Sequence, residues 1–262
     1  MLIMVLNACE YELSPWQTDV HCPGLSISQN TEELMAFEQT TGARDFYQVA
    51  LISDPQQYVG SLEDTINLIN GMSEVDFILI LGDLAQNGLK AEFEWMCTAL
   101  AKAHTPVFAV IGNHDGLSFG KEIWRDIFGP LNFSFTYQDS RFVAYNDNKY
   151  EFTDAPDRDW LAQQAKISEG EKRVLTIAIS HIAPWDTDQG FEQHLAQSGY
   201  NLTLHGHWHL FYYWQNTQLG ISHHVTADNH GTRFALLSIY SDGSFEVENC
   251  EPDCVTVSAR SR

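Results

Sequence analysis

The sequence predicts an α/β fold arranged as a four-layer α/β/β/α sandwich, two packed mixed sheets flanked by helices. Three observations carry this expectation. Short apolar runs of strand length recur along the chain, and each ends in a cluster of Asp, Asn or His. Stretches of ordinary helix length separate the runs in the first half, as in βαβ units. With 262 residues and 44% hydrophobic composition, there is ample material for one large core or for two packed sheets.

The elements follow in chain order. The run VALIS precedes Asp54, DFILIL precedes Gly82 and VFAVI precedes Gly112. Expected helices over residues 61–72 and 89–103 lie between them, and a third follows over 119–128. Helices are also expected over 156–166 and 188–198, on either side of the run VLTIAIS before His181; NLTLH then leads into Gly206. Beyond it the stretches 210–215, 220–226, 233–238 and 245–247 are short, β-rich and separated by turn residues such as Asn216 and Asp242-Gly243. They read as a meander closing a second sheet. No repeat, low-complexity linker or composition break divides the chain. The expected organisation is therefore an N-terminal signal or tether over 1–44, one catalytic domain over 45–249 and a tail over 250–262.

Composition limits the partners. The formal charge is −21, from 35 acidic against 14 basic residues, so the clustered Lys and Arg of a phosphate-backbone footprint are missing and stable nucleic-acid binding is not expected. A small phosphorylated substrate would need its charge met by metal ions. No stretch of 18 or more apolar residues exists to span a membrane.

The N-terminus offers another means of membrane attachment. Residues 1–6 are apolar and lead into Asn7-Ala8-Cys9, which resembles the end of a bacterial lipoprotein signal, although the charged start and the apolar stretch of about 7–15 residues are absent. The expectation is a cell-envelope protein, lipid-anchored through Cys9 or periplasmic; the alternatives are an ordinary free cysteine and a cytoplasmic protein. Residues 10–30, polar and poor in structure, would be the tether. Cys97 reads as a buried thiol. Cys250 and Cys254 could close a small disulfide, or one of them could join Cys22, and either pairing suits an oxidising compartment.

The polar clusters themselves are Asp54-Pro55-Gln56, Gly82-Asp83, Gly112-Asn113-His114-Asp115, Ser180-His181 and Gly206-His207-Trp208-His209. Placed at strand ends, they would meet along the carboxyl edge of a sheet, where open α/β folds bind ligands. Two metal ions about 3.5–4 Å apart can neutralise a phosphate ester and lower the pKa of a bound water, and such a pair needs a bridging carboxylate. The glycines at 82, 112 and 206 suit sharp strand exits, tolerating positive φ and letting the backbone approach a ligand.

The order Asp-x-His/Gln, Gly-Asp, Gly-Asn-His-Asp, His, Gly-His-x-His resembles that of the calcineurin-like metallophosphoesterase family, which includes purple acid phosphatases. The resemblance implies a dinuclear phosphatase or phosphodiesterase in which a metal-bound hydroxide attacks phosphorus. It places Asp54, Gln56 and His209 on one metal, Asn113, His181 and His207 on the other, and Asp83 between them as a bridging, catalytic carboxylate. It also places His114 beside the leaving group as a proton donor or charge stabiliser, with Asn113 and His114 touching substrate. Asp115 would orient that loop or cap a helix. Gln56 departs from the commoner histidine; its harder amide oxygen favours manganese or iron over zinc.

His230, in a turn-like stretch between two β runs, is a candidate substrate contact. The outward-facing half of Trp208, Phe211, Tyr212, Tyr213 and Trp214 could form a stacking wall for a nucleobase or aryl group, the rest being core. Two rival readings are a metal-binding envelope lipoprotein without activity and a metallohydrolase of non-phosphate bonds.

Overall fold

The structure, a computed structural model, describes residues 17–261; Cys9 lies outside them. The chain enters the fold through helix α1 (Ile27–Thr41) and then alternates β1 (Phe46–Ile52), α2 (Val59–Ile69), β2 (Val75–Ile80), α3 (Lys90–Leu100), β3 (Val107–Ala109) and α4 (Gly120–Ile127). A hairpin of β4 (Phe133–Tyr137) and β5 (Ser140–Ala144) follows, then α5 (Arg158–Gln164), β6 (Leu175–Ile179), the one-turn α6 (Pro184–Thr187), α7 (Phe191–Ser198) and β7 (Leu202–His205). The remainder is β8 (Tyr212–Asn216), β9 (Ile221–Val225), β10 (Phe234–Tyr240), β11 (Phe245–Cys250), β12 (Cys254–Val257) and β13 (Arg260–Ser261).

Among the described residues these strands form two mixed sheets, ordered β12-β11-β10-β1-β2-β3 and β13-β8-β9-β7-β6-β5-β4. In the first, β1, β2 and β3 are parallel neighbours; in the second, β5, β6 and β7 are. The sheets meet through aromatic side chains. Phe77 of β2 packs edge-on against Phe135 and Phe142 of the opposite hairpin, with centroids 5.7 and 5.3 Å apart. Alternation along β5 and β6 then builds the next layer, because successive side chains take opposite faces. Phe142, Ile177 and Ile179 join the core between the sheets, while Val143 and Ala178 join a second cluster with Leu161 of α5 and Phe191 and Leu195 of α7. The first sheet is covered in the same way, with Leu62 and Ile66 of α2 and Phe93 and Met96 of α3 in the main core. The expected layering is thus observed.

Several details differ from expectation. The four late strands do not form one meander: β8 and β9 pair in the second sheet, whereas β10 and β11 return to the first. β1 would otherwise be an unpaired edge, and β10 lies antiparallel along it from Phe46↔Tyr240 to Leu51↔Ala235. The β4–β5 hairpin has no counterpart in the sequence pattern. Its turn residues Gln138 and Asp139 take φ of 47° and 60° without glycine, so the usual turn signal is absent. Residues 250–262 are not simply a tail, since β12 and β13 each extend a sheet. Cys97 is not a free thiol; it pairs with Cys22, and Cys250 pairs with Cys254.

The expected tether also ends early. Ile27 and Leu34 of α1 are buried in the core, and Asn30, 3% exposed, accepts a hydrogen bond from Val107 N of β3 at 2.9 Å. Packing against β3 and β4 supplies the apolar face that residues 27–41 lack as an isolated sequence. Leu34→Ala is therefore expected to lower the unfolding free energy by about 3 kcal/mol in urea titrations followed by tryptophan fluorescence, the usual cost of a buried Leu truncation. A change within about 0.5 kcal/mol, typical of a surface position, would mean that α1 is a tether after all.

Candidate metal centre

The parallel strands of both sheets end at one place. Past their last residues the backbone ladder continues: Leu81 N donates to Ile52 O at 2.7 Å, Asp54 N to Gly82 O at 3.1 Å, Ser180 N to Leu204 O at 3.1 Å and Gly206 N to His181 O at 3.0 Å. Four of the five polar clusters of the sequence are thereby fixed in pairs. Two bonds then tie the sheets together across the site, His207 N to Asp54 Oδ2 at 3.0 Å and His181 Nδ1 to Leu81 O at 2.7 Å.

Asp83 lies at the middle. Its Oδ1 accepts from His114 N at 2.9 Å, and its Oδ2 lies 3.1 Å from Gln56 Nε2 and 3.2 Å from His181 Nε2. Asp54 Oδ2 accepts from Ser53 Oγ at 2.5 Å, while Oδ1 faces His209 Nε2 at 3.2 Å and His181 Nε2 at 3.9 Å. Ligand atoms of Asp83, His181 and His207 lie within 4.8 Å of one another, a grouping able to hold a metal ion. Asn113 Oδ1 is buried without a hydrogen-bond partner, and the backbone N–H of the next residue, His114, is the donor to Asp83. His230 stands apart, exposed and stacked on Tyr58 at 4.5 Å.

The donor set fits a cation. Asn113 Oδ1 is buried without a hydrogen bond, and Asp54 Oδ1 and His181 Nε2 are buried with only the close side-chain approaches just given, a costly arrangement unless something positive meets them. Because a carbonyl can only accept, the bond to Leu81 O fixes the proton of neutral His181 on Nδ1 and turns the Nε2 lone pair inward, as metal-binding histidines require. Burial lowers the pKa of His181, but the Asp83 and Asp54 carboxylates outweigh it and raise the pKa to about 10. For His207, burial and the nearby His181 act together to lower it. Hydrogen bonding to Asp54 raises that of His209.

The backbone explains why these loops are specific. Asp54, Gln56, Asp83, His207 and His209 all have positive φ, at 50°, 30°, 56°, 69° and 56°. Side chains seldom tolerate this region, and such strain gathers at functional sites. Nothing in the local residue pattern reveals it. Gly82 does take positive φ, at 94°, but Gly112 and Gly206 serve by close approach instead. A Cβ on Gly112 would overlap Asp83 Oδ1 and N, and one on Gly206 would overlap Ser53 Oγ.

Of the other supports, Asp115 takes the loop-orienting role that the sequence offered as one of two alternatives. Asp115 caps no helix. It accepts from Ala85 N at 2.7 Å and Gly112 N at 2.9 Å, binding two of the loops together, and burial with the nearby Asp83 pushes its pKa up to about 8. Asp147, fully buried just past β5, accepts from Ile182 N at 3.1 Å and so steadies the loop carrying His181. Its place at a strand end in Asn146-Asp147-Asn148 is the one available signal. Behind the histidine loops a chain of contacts runs Ser180 Oγ, His205, Thr203 Oγ1, His223 and Glu192, at 3.1, 2.6, 2.7 and 2.9 Å. His205 and His223 are thus buried framework residues.

Gly112→Ala is expected to displace Asp83 and weaken metal binding at least about tenfold in calorimetric titrations, the scale on which supporting groups act. Wild-type affinity in that variant would show that the close approach is unimportant.

Comparison with known proteins agrees with the geometry. The family model described as calcineurin-like phosphoesterase matches residues 47–211. Purple acid phosphatase PPD1 from yellow lupin (Lupinus luteus) seeds superposes with a TM-score of 0.64 at 14% identity, over 83% of this chain and 53% of that one. The chain thus spans about half the length of that phosphatase. GAP50, described as the anchor in the inner membrane complex of Plasmodium, superposes at 0.57 with 10% identity over 83% and 90% of the two chains. A Thermus thermophilus protein gives 0.53 and 13% over 78% and 98%. At these identities the likeness concerns the fold. No curated protein sequence matches. With the family model covering the strand-end motifs from before Asp54 to beyond His209, the chain belongs to the calcineurin-like phosphoesterase family.

Proposed function

We propose that this metallophosphoesterase hydrolyses a phosphate monoester or diester at a dinuclear metal site. Asp54, Gln56 and His209 would hold one ion, Asn113, His181 and His207 the other, and Asp83 both. The observation that carries this reading is the position of Asp83 Oδ2, about equally far from Gln56 and His181, one from each ligand set. Divalent ions at these positions would offset the ester's charge and lower the pKa of a bound water. That contribution matters in a chain of net charge −21.

The chain's own groups have separable tasks. His114 Nδ1 lies 2.7 Å from the Gln86 carbonyl and 3.1 Å from the Gln86 side-chain amide nitrogen, so Gln86 engages this nitrogen of the ring. Nε2 is then the nitrogen left for chemistry, and it is the atom from which His114 would protonate a departing oxygen. The two glycine contacts and Asp115 keep the loops from relaxing around the charges.

The direct test is metal content together with hydrolysis of aryl phosphate monoesters and diesters under manganese, iron and zinc, for the wild type and Asp83→Asn. Turnover that Asp83→Asn abolishes supports the reading; full metal occupancy without turnover of either ester refutes it. His114→Ala should lower kcat on alkyl phosphates about 10²–10⁴-fold, the usual range for a lost general acid. Its effect on p-nitrophenyl phosphate should be smaller, since that leaving group needs little protonation. Equal losses on both would remove the acid role.

Gln56 bears on metal number. Its amide nitrogen faces Asp83, so ligation through the oxygen requires a half-turn of the amide. Gln56→His should tighten the weaker of two metal-binding steps about tenfold or more in calorimetry, because imidazole is the stronger ligand for most of these metals. No change in either step would detach Gln56 from the metals. We also propose an envelope location with attachment through Cys9; the two disulfides support an oxidising compartment.

A further inference from the structure

The turn that carries His207 and His209 places Trp208 between them, and the strand leaving that turn adds two more rings. Trp208 and Trp214 lie nearly parallel, 18° apart with centroids separated by 6.5 Å. Tyr212 stands edge-on to both, at 5.8 and 5.4 Å. With Arg260 and Ser261 they line a cavity of about 310 Å³. Trp208 is held in place by its indole N–H, which donates to Asp186 Oδ2 at 2.6 Å.

Core packing does not account for the whole of this group. Trp214 is buried, but Trp208 is only half-buried and Tyr212 is 37% exposed. Arg260 adds a second, independent feature. It lies on β13, opposite Trp214 in register, with its guanidinium carbon 5.7 Å from the Tyr212 ring centroid. Among the described residues Arg260 makes no ion pair, as is also true of Arg125 and Lys166, so no carboxylate already meets its charge.

We propose that Trp208, Tyr212, Trp214 and Arg260 form a subsite for a nucleobase on the organic part of the substrate. This rests on the phosphoesterase reading, and it assigns a substrate class to the same centre. Aromatic faces attract planar π systems. The Arg260 guanidinium repels a cationic group such as a quaternary ammonium, which an all-aromatic cage would otherwise favour. It also supplies donors for the acceptor edge of a base. A sugar ring would need several neutral hydrogen-bonding side chains, and this cavity offers two hydroxyls, those of Ser261 and Tyr212. Trp208 is flanked in sequence by His207 and His209, so the cavity shares a turn with two of the candidate ligands, and the proposal puts the organic part of an ester held there beside these rings.

The test uses AMP and ribose 5-phosphate, which share the phosphorylated ribose and differ by the base. Tryptophan fluorescence is titrated with each in EDTA, and turnover of both, and of p-nitrophenyl phosphate and bis(p-nitrophenyl) phosphate, is then measured in the metal-loaded protein. The wild type is compared with Tyr212→Ala and Arg260→Ala, both at exposed positions. AMP should quench fluorescence saturably where ribose 5-phosphate does not, and each substitution should weaken AMP binding about tenfold, the scale of one base–aromatic contact. Turnover of ribose 5-phosphate should be the same in all three proteins. AMP binding no tighter than ribose 5-phosphate, binding unaltered by both substitutions, or displacement of AMP by methyl glucoside overturns the subsite. Should AMP bind as expected while no ester is hydrolysed, the subsite stands and the phosphoesterase reading falls. Hydrolysis without any preference for the base removes the subsite and leaves the phosphoesterase reading intact.

Discussion

Two buried carboxylates set the terms for the rest of this molecule. Asp54 and Asp83 both lie within 4 Å of the same imidazole nitrogen, His181 Nε2, and neither is exposed to water beyond a trace. Charges in that position must be paired, hydrogen-bonded or neutralised. The chain answers with backbone N–H groups, which cannot titrate or move away: His207 N serves Asp54, and His114 N serves Asp83. What those donors leave unmet is Asp54 Oδ1, Asn113 Oδ1 and His181 Nε2, which are buried without a well-formed hydrogen bond even where a neighbouring side chain is close. A divalent cation is the chemical complement of that set.

Holding such groups together takes rigidity, and the two-sheet architecture supplies it. The ligand loops emerge from strands that are parallel within each sheet and packed across an aromatic interface, so their ends are fixed before any loop geometry is considered. Strain can then be tolerated. Five residues at the centre keep positive φ because the ladder bonds beyond each strand, the Asp115 bridge and the glycine contacts leave them no easier conformation. The same rigidity places His114 against the Gln86 carbonyl and so determines which of its nitrogens is free for chemistry.

The aromatic residues after the last motif show the same economy of space. Trp214 is part of the interior, while Tyr212 on the same strand and Trp208 in the preceding turn remain accessible. The edge strand β13 then places Arg260 beside them. A chain with few cations has thus put one beside an accessible aromatic group, contributed by residues that the sequence marked only as a tail.

The sequence by itself determined the family, the layering and the identity of the polar clusters, because those depend on local patterns. An apolar run makes a buried strand wherever it pairs, and an Asp, Asn or His at its end is presented at the sheet edge. It could not show which sheet each late strand joins, since a pairing between β1 and β10 spans most of the chain and leaves no local trace. Nor could it reveal α1, whose core-facing Ile27 and Leu34 gain meaning only against β3, or the hairpin that turns at Gln138 and Asp139 without glycine. At the centre, residue types named Asp83 and His181 as partners. Only the tertiary structure decided that Gly112 must be glycine to admit Asp83, that Asp115 and Asp147 brace the loops, and that Gln56 presents its nitrogen to the carboxylate. Those facts arise where segments far apart in sequence come within van der Waals or hydrogen-bond distance, and no single segment contains them.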